Sequence, residues 1–164
     1  MSAVAARPAS DAECPVRADI ADRADLVELL RDFYGRAFRD PLLGPVFVDI
    51  ARMDLETHLP VICDFWQTVL FRTGTYRRNA LQPHLRVHAR ANLTAAHFER
   101  WLVLWRATVD ERHAGPRAEL AKRQAGRIAG AMTRRIARTA ELTRPYDLLN
   151  ETGGVSGRGR GCGA

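Results

Sequence analysis

What most constrains this chain is a hydrophobic period of 3.6 residues that recurs through its middle, with no alternating segment to compete with it. Leu26, Leu30, Phe33, Tyr34, Ala37 and Phe38 fall on one stripe between about Asp22 and Phe38. That spacing lines one face of a helix, and Asp22 suits its N-cap. His58, Val61, Ile62, Phe65, Trp66 and Val69 form a second stripe, in a helix starting near Asp54. Pro60 sits early in it, removing one backbone hydrogen bond and threatening a kink or a later start. Leu81, His84, Leu85 and His88 share one side of a short helix reaching about Ala91. Phe98, Trp101, Leu102, Trp105 and Val109 face one way behind a Thr94 N-cap. Leu120, Ala125, Ile128, Ala129, Met132 and Ile136 do so between Pro116 and about Thr139. The breaks between stripes are DPLLGP from Asp40, RTGTYRRNA from Arg72 and HAGP from His113, each rich in Pro, Gly or polar residues. The expected fold class is all-α, four long helices and one or two short ones around one core.

The 164 residues suit a single domain. Residues 1–20 and 146–164 lack periodicity, and the second stretch ends in GRGRGCGA. Both are expected to be disordered tails flanking a folded domain at 21–145. Cys14, Cys63 and Cys162 have neither disulfide-framework nor zinc spacing. With no signal-like stretch and no 18-residue apolar run, the expectation is a soluble cytoplasmic protein without membrane contact. The net charge of +6 raises nucleic acid as a partner. Arg117, Lys122, Arg123, Arg127, Arg134, Arg135 and Arg138 crowd the polar face of the last helix against Glu119 alone. A solvated surface explains that face without a partner.

Polar groups inside the apolar stripes carry the functional signal. LQPHLRVHARANLTAAHFERWLVLW, from Leu81 to Trp105, holds His84, His88 and His97. The i,i+4 pair could be a two-histidine metal site, one of the pair could hold a cofactor, or all could be structural. A zinc site needs a third and usually a fourth ligand, and no acidic residue at matching spacing supplies one. Tyr34, His58, His84 and Trp101 each interrupt an apolar face, and singly each has a packing explanation. Together they describe an apolar pocket with a few convergent polar groups. A buried haem asks for that: one axial imidazole, an apolar box and distal hydrogen-bond donors. His97 and His113 lie at helix ends, the latter where a cation suits the dipole.

The order and spacing of several motifs resemble the truncated haemoglobins, and within them the third group. They are Phe33-Tyr34, LLGPVF from Leu42, HLPVICDFW from His58, Tyr76 eight residues before His84, and HFERWLVLW from His97. The match spans roughly residues 22–140. Two loop positions depart from the family: Arg78 and Ala80 stand where it often has Gly and Pro. The paired-glycine motifs of the first two groups are absent from the helical region.

The resemblance implies a truncated globin fold, a two-over-two helical sandwich holding haem b. It implies His84 as the proximal iron ligand, with His88 as its rival on the same face. Tyr34, His58, Ile62 and Trp101 take the distal ligand-binding positions, and Phe33, Phe47, Ile62, Phe65, Trp66 and Leu81 join His84 around the cofactor. The implied function is reversible binding of dioxygen, and of other diatomic ligands such as NO. Chemistry on the ligand, NO or peroxide detoxification, would need an unidentified reductase. The alternative is a haem-free helical regulator or nucleic-acid-binding module using the basic last helix, which leaves the Tyr, His and Trp placements unexplained.

Overall fold

The computed structural model describes residues 17–142. Most of both expected tails, with Cys14, Cys162, Arg158 and Arg160, lies outside them. Five α-helices and one π-helix are formed among the described residues: α1 Arg23–Ala37, the π-helix Pro45–Ile50, α2 Leu55–Phe71, α3 Leu81–Ala91, α4 Ala95–Arg112 and α5 Pro116–Leu142. None is long and apolar enough to cross a membrane.

Local chemistry sets the boundaries. The Asp22 carboxylate accepts from the Ala24 and Asp25 amides at the start of α1, and Asp54 caps α2 through the Glu56 amide. Pro60 stands inside α2 and neither delays nor ends it. Arg72 and Asn92 close α2 and α3 in the left-handed region, at φ of 57° and 47°. Thr94 and His97 form a reciprocal capping box on α4: Thr94 N–H donates to His97 Nδ1 at 3.1 Å. His97 is therefore a helix cap. α5 is capped from far away in sequence, because the Asp19 carboxylate accepts from the Arg117 and Ala118 amides at 2.9 and 2.8 Å. Gly115, at φ +147°, makes room for it, since a Cβ there would come within 2.5 Å of the Asp19 side chain.

The segment that follows the DPLLGP break is the π-helix, marked by Ala51 N–H donating to Val46 O, five residues back, at 2.8 Å. Asp40 builds the corner leading into it. Its buried carboxylate accepts from the Leu42 and Leu43 amides and from Arg100 Nε of α4 at 2.6 Å. Gly44 is required there, because a Cβ would lie 2.7 Å from the Phe38 carbonyl oxygen.

The four long helices pack in a closed ring, α1 on α2, α2 on α5, α5 on α4 and α4 on α1. Phe33, Trp105, Leu26, Leu29, Leu30, Val109 and Cys63 are fully buried at its centre. The shorter α3 packs on the π-helix and α5, through a small separate cluster that includes Val46, Leu85, Leu93 and Ile136. Ala118, Ala121, Ala125, Ala129, Met132 and Ile136 form the buried stripe of α5. The arginines of its opposite face are exposed, and Lys122 pairs with Asp110 and Glu119.

Candidate functional site

Where α1 meets the π-helix, side chains one and two turns apart gather around one phenol. The Tyr34 ring sits 5.0 Å from Phe33, 5.9 Å from Phe38 and 5.7 Å from Phe47 between ring centres. Burial drives its hydroxyl far above the ordinary tyrosine pKa, so the group stays protonated and available as a donor. No described residue hydrogen-bonds that hydroxyl.

Behind this cluster Phe33 meets Trp101 edge-on at 5.4 Å and Trp105 at 5.2 Å. Trp101 is half-buried and its indole N–H has no acceptor among the described residues. On α2, Trp66 is buried, while Ile62 and Phe65 are half-buried against the core. Leu81 opens α3, but its side chain lies outside what is described.

The two histidines of interest share one local arrangement. His84 is exposed near the start of α3, with Nδ1 2.7 Å from the Ala80 carbonyl. His58 is exposed near the start of α2, with Nδ1 2.8 Å from the Asp54 carbonyl. A carbonyl oxygen only accepts, so this contact assigns the proton to Nδ1 and leaves the neutral ring a lone pair on Nε2. His84 therefore has the fixed tautomer that a metal-binding imidazole needs. Neutral His58 offers its free nitrogen as an acceptor or a ligand, and donates there only when doubly protonated.

His88, one turn beyond His84, is half-buried, and its Nδ1 is shut from solvent without a partner among the described residues. His113 caps the C-terminus of α4, the helix end at which the sequence places it; it is buried there, and neither ring nitrogen has a described partner.

The structure thus brings Phe33, Tyr34, Phe47, Trp66 and Trp101 into one contiguous aromatic region. Among the described residues no hydrogen bond joins His58 or His84 to it. Phe38 and Trp105 belong to the same region and were read from sequence only as stripe residues. Their signal was helical spacing, Phe38 one turn from Tyr34 and Trp105 one turn from Trp101. Among the described residues no three His, Cys, Asp or Glu side chains gather as a metal site.

No protein-family model matches the sequence, and no curated protein matches it. Among solved structures the chain is similar to the group III truncated haemoglobin from Campylobacter jejuni. The TM-score is 0.64 at 22% identity, over 74% of this chain and 95% of that one. This chain has the truncated-globin fold. The resemblance carried by the short motifs and the arrangement of the backbone thus point the same way. In a truncated globin fold, α1, α2, α4 and α5 supply the two-over-two pairs that the closed ring displays.

Proposed function

We propose that this truncated-globin chain binds haem b, with His84 Nε2 as the residue that would hold the iron and the Tyr34–Trp101 side facing the bound ligand. The observation that carries the reading is the His84 ring, its Nδ1 fixed by Ala80 O and its Nε2 without a partner among the described residues. One oriented imidazole would suffice for the protein's part, because the cofactor brings its other metal ligands with it. The Tyr34 hydroxyl fits the same picture, an O–H donor among aromatic rings with no hydrogen-bond partner among the described residues.

When bound, haem supplies reversible coordination of dioxygen and other diatomic ligands such as NO, and redox chemistry on them. The chain's residues do the rest. Phe33, Phe47, Ile62, Phe65 and Trp66 provide apolar walls that exclude water. Tyr34 Oη and Trp101 Nε1 donate hydrogen bonds to a polarised ligand. His58, in its neutral tautomer, accepts a hydrogen bond or offers its lone pair. Two donors would make dioxygen leave slowly, which suits ligand chemistry such as NO or peroxide detoxification better than transport. That chemistry takes electrons from a separate reductase, in a cytoplasmic setting.

Purification with haem available should give a Soret band that is lost or shifted in His84→Ala and retained in His88→Ala. A band absent from the wild type, or unchanged in His84→Ala, would sink the assignment.

A further inference from the structure

The chain has three tryptophans, and all three stand in one column. Trp66 and Trp105 stack at 4.4 Å between ring centres with planes 13° apart. Trp105 and Trp101 follow at 5.7 Å and 4°. The column continues outward: Trp66 meets Phe65 at 5.5 Å, and Phe65 meets Tyr76 at 5.2 Å, both edge-on. Tyr76 is half-exposed in the loop between α2 and α3. One end of the column therefore adjoins the Tyr34 pocket through Phe33, and the other reaches solvent at a phenol.

Both tryptophan pairs are offset stacks, an arrangement that aromatic packing favours and that also puts the rings in contact. Indole and phenol rings are also among the side chains most easily oxidised by one electron. Electron transfer weakens exponentially with distance, so rings in contact pass an electron far faster than isolated ones. Trp105 has a further property. It is fully buried and its Nε1–H has no acceptor among the described residues. An indole that loses an electron there has no base to take its proton, so the charge moves on and is not trapped. Tyr76 differs, because the residue is half-exposed and its phenol, once oxidised, can release a proton to water and hold the radical.

We propose, on the haem reading above, that Trp101, Trp105 and Trp66 form an electron relay from the haem pocket to Tyr76, allowing hydrogen peroxide bound in the pocket to oxidise phenols at the surface. In the net reaction one peroxide and two phenols give two waters and two phenoxyl radicals. The O–O bond breaks, and each phenol loses one electron and one proton. The electron passes from Tyr76 through Trp66 and Trp105 to Trp101 and into the pocket, while the proton leaves Tyr76 for water. An external phenol restores Tyr76 by giving up a hydrogen atom. Without one, radicals on two chains join through a carbon–carbon bond as dityrosine.

The test treats the haem-loaded full chain with hydrogen peroxide and maps dityrosine by fluorescence and peptide mass spectrometry. The wild type should cross-link through Tyr76. Trp105→Phe should lower the Tyr76 yield at least fivefold while the Soret band and CO complex stay intact. Trp105→Tyr, still oxidisable, should recover it, whereas a packing role would treat Phe and Tyr alike. Oxidation at Tyr34 in place of Tyr76 in the wild type, or a yield within twofold of it in Trp105→Phe, overturns the relay. A missing Soret band fails the haem reading instead, and is seen before peroxide is added.

Discussion

Tyr34 shows how much one residue can reveal and how much it hides. A tyrosine inside an apolar stripe signals a pocket from sequence alone, because its hydroxyl must be satisfied when buried. The structure adds that no described protein group satisfies it. Tyr34→Phe in the haem-loaded chain should therefore speed dioxygen dissociation, and Trp101→Phe should do the same. A neutral hydrogen bond is worth about 0.5–1.5 kcal/mol, so each rate should rise roughly two- to tenfold. Stopped-flow displacement of dioxygen by CO measures it, and unchanged rates in both variants would remove the donor roles. His58 was less legible. Its spacing puts it on the face of Ile62 and Phe65, but spacing cannot say how far the neighbouring helix extends. In the first turn of α2 the ring lies exposed, turned back on the Asp54 carbonyl. His113 ends α4 where the sequence puts it, yet it is buried there, since a helix end in the sequence need not be a surface in the fold.

At the scale of elements, the helices were readable because period, caps and breakers agree, and α3 begins and ends where the stripe and the loop require. Two features were not readable. The π-helix follows from the corner made by Asp40, whose partner Arg100 comes from α4. The cap of α5 comes from Asp19, nearly the whole domain away in sequence. Asp19→Ala should cost about 1 kcal/mol, the usual worth of an N-cap, seen as a lower urea midpoint at unchanged slope. Burial alone would raise the Asp19 carboxyl, but the amides of Arg117, Ala118 and Ile20 and the Arg117 charge outweigh it and hold the group below the usual range. A lowered native pKa adds stability above the unfolded value of about 4, lost as pH falls through the native value. Asp19→Asn keeps the oxygen that receives the Ala118 and Ile20 amides, gives up the one that receives the Arg117 amide, and removes that dependence, so its stability should fall less steeply than the wild type's below about pH 4. α3 itself is held by one small cluster on the π-helix and α5. Its amides should exchange fastest among the helices of the haem-free chain and slow most when haem is added. Equal protection in both states would detach α3 from the site.

For the whole molecule, the division of labour between ring and α3 sets what the cofactor can contribute. The ring of α1, α2, α4 and α5 is filled by Phe33, Trp105 and their neighbours, so it does not need haem to close. Its stability comes from apolar burial and from ties across α1 and α4 such as Arg36–Glu111 and Arg112–Asp32. Those pairs are part-exposed and each adds little. The chain without haem should therefore remain folded and helical, with a cooperative transition of its own. On the proposed function, haem would bind only the state in which α3 presents His84, and would stabilise that state by mass action. At a free concentration of a hundred times the dissociation constant the gain is about 2.7 kcal/mol, which for a domain of this size raises the midpoint by roughly 10 °C. Calorimetry of the chain with and without haem measures the shift. His84→Ala should lose most of it by weakening the binding, while the haem-free transition moves little, because the exposed ring contributes only its bond to Ala80. A loaded chain that melts with the unloaded one would mean that α3 and the ring are not linked through a shared ligand.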